Sequence, residues 1–375
     1  MQFKCNSGKL KESIAIVEKA VSQKSSLPVL ENIFLELKGS HLKLRGNNLE
    51  IGIENGLVID EPGVEGSILV KAKTLSSIFS KIDDNIVSIS VDDSQKLSIK
   101  GEKVDFDILG SHTQDYPVFP SIDEGFTFSF KAQDIQQLIK HTIIAVSYDE
   151  TKQFLNGILI KNIQDKLILV STDGYRLALK SQTIPPFEQS FESIIPYKAV
   201  NELNRILQGE SADKDVEITI SENQVAFKMD SFLLISRIIQ GQFPNYKQVI
   251  PEQTANKFKI NREAFLAAAE RSSLIATASN NVVRFSFDKE KVSIAANAKG
   301  LGDFKEDVFL ERVSGEDDVK IAFNIRLLLD VVKTVTTEDV YVAFNDELSP
   351  CKITLDDTED FVYIIMPIRT ADYQT

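Results

Sequence analysis

The chain has 375 residues, with 42 Lys and Arg against 55 Asp and Glu and a formal net charge of -13 at pH 7. That length suggests two or three domains, each able to bury a core of its own. Two cysteines exclude a disulfide framework, and no apolar run reaches the roughly 20 residues that a bilayer-spanning helix needs. Met1-Gln2-Phe3-Lys4 enters a strand pattern directly, so no signal peptide is expected. Cys5 and Cys351 lie in apolar strand-like contexts and are expected to be buried and reduced, in a cytoplasmic protein.

Along the chain one pattern recurs six times. A short apolar strand ends in an inward residue, and five positions later another apolar residue opens a helical stripe. Cys5 leads to Leu10, Val70 to Leu75, Phe130 to Ile135, Ile195 to Val200, Ile260 to Phe265 and Phe323 to Leu328. A fixed period marks repeated structural units, and six units of about 62 residues use up the chain. Nothing is left over for a separate catalytic domain.

Within a unit the period switches. Phe126, Phe128 and Phe130 alternate with Thr127 and Ser129, as in a half-buried strand. Beyond Asp134, Ile135, Leu138, Ile139 and Thr142 share one helical face. Thr74 and Asp134 suit a first helical turn. Alternating runs then flank short turns, as at Val87, Ile89 and Val91 before Gly101, or Ile218 and Ile220 before Val225 and Phe227. Such hairpin signals predict antiparallel sheet. The expected class is α+β, each unit being a strand, a helix and three strands. Two copies are weaker: the first has Ser13 on its apolar stripe, and the fourth has Asn201 and Asn204 in its helix. Paired units give three similar domains, 1–125, 126–253 and 254–375, with Pro- and Gly-bearing seams at 116–125 and 243–256.

The acidic total hides an uneven distribution. The six predicted helical windows are net basic, except 262–271, which is neutral. Because Glu favours helices as much as Lys does, this asymmetry points to a cationic helical surface on an acidic protein. His41, His112 and His141 have no partner at metal-ligand spacing, and His141, ending a predicted helix, is read as a surface or dipole-complementing residue. No phosphate-binding glycine loop or nucleophile elbow occurs. Thr172-Asp173-Gly174-Tyr175-Arg176-Leu177 is a polar turn whose Asp lacks a second acid or base, so no catalytic or metal site is expected. Gly174 there is expected to supply unusual backbone angles.

Five segments carry a resemblance: Ser26-Leu27-Pro28-Val29-Leu30, Phe154-Leu155-Asn156-Gly157, Thr172-Asp173-Gly174-Tyr175-Arg176-Leu177-Ala178, Gly241-Gln242-Phe243-Pro244-Asn245-Tyr246 and Met366-Pro367-Ile368-Arg369. In that order and at that spacing the whole chain resembles the beta subunit of bacterial DNA polymerase III, the sliding clamps. The resemblance implies a head-to-tail dimeric ring, with helices inside and antiparallel sheets outside, that encircles double-stranded DNA without reading its sequence. At a width of about 10 Å per helix, twelve helices enclose a circle about 38 Å across and six only about 19 Å, which favours two chains. No cofactor is implied.

The resemblance also assigns residues. Lys24, Lys73, Tyr148, Lys152, Lys198 and Arg205 would face DNA, with Asp149 and Gln153 departing from the family in the neighbouring loop. Leu155, Thr172, Gly174, Tyr175, Arg176, Leu177, Pro244, Gln248, Val249, Ile364, Met366, Pro367, Ile368 and Arg369 would form a groove. That groove would take short apolar peptides from the DNA polymerase III alpha subunit, the clamp loader and other replication and repair proteins. Gln248 replaces an arginine common in relatives, which should soften recognition of acidic peptide ends. Residues 370–375 extend past the usual end and are expected to brush the groove and weaken peptides. Phe106, Leu274 and Ile275 would lie at the ring seam, where Lys71 and Lys73 could face Glu306 and Asp307. Two rivals remain. A duplicated α+β enzyme would need a convergent acid, base or metal cluster, and a protein-binding ring that never threads DNA would show no salt-dependent association with circular duplex.

Overall fold

The computed structural model describes residues 1–370 apart from 23, 60, 123, 150, 186–188, 210, 211, 317 and 357. Six α-helices are present among them: α1 (Ser7–Val17), α2 (Ala72–Phe79), α3 (Ala132–Thr142), α4 (Tyr197–Leu207), α5 (Arg262–Ala276) and α6 (Ile325–Thr334). Each follows directly on a strand. Both members of all six spaced pairs are buried, from Cys5 at 8% exposed to Ile260 at 0%. The last inward strand residue and the buried residue about one turn into the helix are thus both core positions, which is why the offset is constant. Where an asparagine ends the strand it also caps the helix: Asn6 accepts from the Lys9 N–H and Asn261 from the Ala264 N–H. The first helix ends at Val17 and tightens into a 3-10 turn, Glu18–Ala20.

The chain folds into two compact units. One comprises 1–135 and 201–238. It holds a five-stranded sheet in the order Glu61–Val64, Gln2–Asn6, Ile86–Val91, Lys96–Lys100, Asp105–Leu109. Its second sheet has eight strands, in the order Phe126–Lys131, Asp215–Ile220, Gln224–Met229, Phe232–Arg237, Ile51–Val58, His41–Asn47, Asn32–Lys38, Gly66–Lys71. α1 packs on α2 and on the strands His41–Asn47 and Ile51–Val58. Ser13 is buried on that face, and its hydroxyl donates to Asn55 Oδ1 at 3.0 Å, so the polar interruption in the stripe has a polar partner. Asn201 and Asn204 are half-exposed, flanking the buried Leu203.

The other unit comprises 136–200 and 239–375. Its twelve-stranded sheet begins Glu192–Pro196, Gly157–Ile163, Lys166–Thr172, Arg176–Thr183, Phe361–Ile365, Cys351–Thr354, Asp339–Phe344. It continues Asn256–Asn261, Gly302–Ser314, Lys291–Ala298, Val282–Phe287, Val319–Asn324. All pairings in it are antiparallel, as the hairpin signals predicted. α5 and α6 pack together above buried Phe258, Phe285, Phe287 and Phe344, with Phe258 stacked on Phe287 at 4.5 Å between ring centres. His141 is not a surface residue. It is 8% exposed, shares a Nδ1 hydrogen bond with the Gln137 carbonyl at 2.9 Å, and lies against Phe361.

Candidate functional site

The site is built on the turn between Lys166–Thr172 and Arg176–Thr183. Gly174 has φ +94°, the left-handed region that glycine enters at no steric cost. The Thr172 hydroxyl donates to the Arg176 carbonyl at 2.6 Å and accepts from the Gly174 N–H at 3.1 Å. Asp173 accepts from the N–H groups of Tyr175 and Arg176 at 2.9 and 3.0 Å and from Arg176 Nε at 3.0 Å. The Arg176 side chain, 9% exposed, reaches on to Asp330 of α6. The carboxylate considered for catalysis is therefore occupied in shaping a turn.

Beside the turn, the Met366 N–H donates to the Tyr175 carbonyl at 2.9 Å, extending the ladder of Arg176–Thr183 with Phe361–Ile365. Leu155 follows a loop braced by Asn156, whose amide is oriented to donate to the Ser147, Asp149 and Lys152 carbonyls at 3.2, 2.9 and 3.3 Å. Gly157 comes next because a Cβ there would lie 2.5 Å from the Ile195 carbonyl.

These pieces border an open cleft of about 540 Å³ including its mouth, lined by Leu155, Thr172, Gly174, Tyr175, Arg176, Leu177, Pro244, Asn245, Tyr246, Val249, Ile364 and Met366. Tyr175 and Val249 stand at its rim, 69% and 40% exposed, while Leu177 and Ile364 form a buried floor. Gln248, Pro367, Ile368 and Arg369 lie outside the lining, and Ile368 instead donates its N–H to the Ala322 carbonyl at 2.8 Å. Asn245 and Tyr246 were not assigned to the groove from the sequence, although both belong to the quoted Gly241–Tyr246 segment. Of the tail 370–375, only Thr370 is among the described residues, so its expected contact with the groove falls outside them.

The first unit contains a counterpart. There Arg237 donates its N–H to the Glu50 carbonyl at 3.0 Å, as Met366 does to Tyr175, and the strands Ile51–Val58 and Phe232–Arg237 pair in the matching register. The side chains differ. Glu50 stands where Tyr175 does, Arg237 where Met366 does, and Gly52 where Leu177 does. The resulting cleft, about 410 Å³, is polar, and a Cβ on Gly52 would lie 2.7 Å from Pro120. Only the copy in the second unit is apolar.

Of the residues assigned to DNA, Lys24, Lys73, Lys152, Lys198 and Arg205 are exposed, and Arg205 pairs with Glu202 at 3.2 Å. Tyr148 is 69% exposed and meets Tyr197 edge-on at 5.1 Å; partial burial, with that neighbour, raises its hydroxyl pKa to about 12. Among the seam residues, Phe106 lies half-buried on Asp105–Leu109, the outer strand of its sheet. Leu274 is 74% exposed, while Ile275 packs into the core of the second unit. Lys71 pairs with Glu31 at 2.8 Å, Glu306 binds Arg271 through both oxygens, and Asp307 holds Lys291 at 2.7 Å and Ser293. These charges have partners within the chain, so any bond across a seam competes with them. Among the described residues no three His, Cys, Asp or Glu side chains are grouped to hold a metal, and no helix is long and apolar enough to cross a membrane.

A repeated strand–helix fold with an apolar cleft beside a turn that spends its carboxylate on structure defines the DNA clamp class. The chain matches the N-terminal, central and C-terminal domains of the DNA polymerase III beta subunit over residues 1–120, 129–245 and 247–369. It is 30% identical to the beta sliding clamp of Bacillus subtilis over 380 residues, 99% of this chain and 100% of that protein. A DnaN sliding clamp from Pseudomonas aeruginosa, solved bound to griselimycin, superimposes with a TM-score of 0.93 at 27% identity, covering 99% of this chain and 100% of that one. The beta subunit from Thermotoga maritima gives a TM-score of 0.92 at 25% identity, again over 99% and 100%. The chain belongs to the DNA polymerase III beta subunits, the family of DNA sliding clamps.

Proposed function

We propose that this chain is a cytoplasmic DNA sliding clamp that works as one half of a homodimeric ring, holds duplex DNA by enclosure, and catalyses no reaction itself. Three domains, 1–125, 126–253 and 254–375, would contribute their helices to the inner wall and their sheets to the outer one. Exposed cations such as Lys24, Lys73, Lys152, Lys198 and Arg205, with Tyr148, would meet phosphates weakly and without sequence preference, since tight contacts would stop sliding. The overall acidity would discourage DNA from the outside. Phe106, Leu274 and Ile275 would supply apolar contact where two chains meet.

The observation that carries this reading is the apolar cleft in the second unit, set in a fold shared with sliding clamps over its full length. An extended peptide with apolar side chains fits such a cleft, the exposed Tyr175 and Val249 closing over it and Met366 adapting to different sequences. The peptides would come from the polymerase alpha subunit, the clamp loader and repair proteins. The test is retention on nicked circular duplex after loading, compared with a Lys24→Glu, Lys152→Glu double variant. The unaltered protein should be retained until the circle is linearised, and the variant should load or persist less well, the more so at low salt. Retention that ignores linearisation would replace enclosure with ordinary binding, leaving the protein-binding ring as the better account.

A further inference from the structure

A second cavity shares a wall with the docking cleft. It is a hollow open to solvent, lined by Leu159, Lys161, Glu192, Gln242, Phe243, Pro244, Asn245, Tyr246 and Lys247. Pro244, Asn245 and Tyr246 line both spaces, so the segment behind the cleft is the front of this one. Its character is different. Lys161 has a side chain only 15% exposed, and its ammonium sits 4.9 Å from the centre of the Tyr246 ring. That aromatic face and the buried stem fix the charge in place. Its carboxylate neighbour, Glu192, is 3.4 Å away and 53% exposed, so it can turn out to solvent while Lys161 cannot. Lys247 adds an exposed cation from the turn Tyr246–Val249, which also carries the rim residue Val249. On a chain with net charge -13, two lysines against one glutamate make this a locally basic annex.

We propose that the annex is a binding site for acidic residues flanking the apolar anchor of a docked peptide. An extended chain advances about 3.3 Å per residue, so a carboxylate two or three residues from the anchor reaches over Pro244 and Tyr246. The carboxylate replaces Glu192 on Lys161 and draws in Lys247. The groove walls offer no such partner, because Arg176 is committed to Asp173 and Asp330. Acidic flanks are therefore read by Lys161 and Lys247, at a place separate from Gln248. The inference rests on the docking role of the cleft.

The test uses the full-length protein and fluorescence anisotropy with a labelled Ser-Leu-Leu-Phe peptide. It is compared with versions carrying two glutamates, or two lysines, at either end. One glutamate version should bind about fivefold more tightly than the core peptide at low salt, as a partly exposed ion pair allows. The lysine versions should gain nothing. The ratio of extended to core affinity should fall towards one in Lys161→Gln and, separately, in Lys247→Gln, and also at high salt. Using the ratio within each variant removes any general effect of the substitution on folding. Core binding without a glutamate gain, or a gain that survives both substitutions, overturns the annex and leaves the groove standing. A core peptide that does not bind at all removes the docking role and the annex with it.

Discussion

Asp330 on α6 holds the guanidinium of Arg176 although 154 residues separate them in the chain. The pair ties the cleft-forming turn to a helix of the last repeat, so the shape of the groove depends on a residue that does not line it. Replacing Asp330 with Asn removes the charge and keeps the shape. Asp173 remains as a partner and Asp330 is 46% exposed, so the loss should be about 1–2 kcal/mol of unfolding free energy rather than the full cost of stranding a buried charge. Denaturant unfolding measures it. A weaker affinity for apolar peptides should accompany the loss, and an unchanged value of both would show that the turn stands without its strut.

His141 gives the fold an acid-sensitive element. Burial, the largest influence, holds its imidazole at about 4 against an ordinary 6.5, partly opposed by the Gln137 carbonyl. The unfolded chain therefore takes up this proton first. Stability from this residue is complete above pH 6.5 and is lost as pH falls towards 4, by about 3 kcal/mol over the window. A His141→Gln variant should show a flatter stability profile between those values. Carboxylates held low by their partners, such as Asp360 beside Lys166 and Asp307 beside Lys291, act in the same direction at still lower pH.

Gly52 marks where the two related clefts part. A methyl group there meets Pro120 at 2.7 Å and Phe119 at 3.1 Å, whereas the equivalent position in the second unit accommodates Leu177. Gly52→Ala should cost about 1–3 kcal/mol by overpacking. Thermal unfolding would check it, and a neutral result would mean the segment carrying Pro120 yields easily.

Both thiols should be inert in the folded protein. Burial raises the Cys5 thiol to about 12, and Cys351 is fully enclosed and raised as well. A thiol reagent at mildly alkaline pH should label neither until denaturant is added, when both should react at once. Rapid labelling of Cys5 alone would reveal local opening of Gln2–Asn6.

The repeat was readable because a strand that runs straight into a helix leaves a constant distance between two core residues, and hydrophobicity reports both. The match between quoted segments and cleft lining is uneven: Asn245 and Tyr246 lie in a quoted segment and were missed, Pro367, Ile368 and Arg369 lie in another and stand outside the lining, and Val249 and Ile364 line the cleft from outside every segment. Other features turn on partners remote in sequence. Ser13 looked like a flaw in a stripe because Asn55, which satisfies it, lies 42 positions away. His141 passed for a surface residue because polarity predicts exposure, and only Phe361 and the sheet around it make the site a buried one. The partners of Lys71, Glu306 and Asp307 come from neighbouring strands and helices that no spacing rule brings together. Asp330 had no local signal of any kind.

Two strand pairings have a mechanical meaning. Ile51–Val58 with Phe232–Arg237, and Arg176–Thr183 with Phe361–Ile365, stitch successive parts of the chain by rows of main-chain hydrogen bonds. A load applied along those strands is shared by every bond in a row at once, so neither joint can slip gradually. The outer strand Asp105–Leu109 has a single neighbouring strand among the described residues. If such a wall ever gaps under tension, it should gap at a margin of that kind, leaving the stitched joints whole.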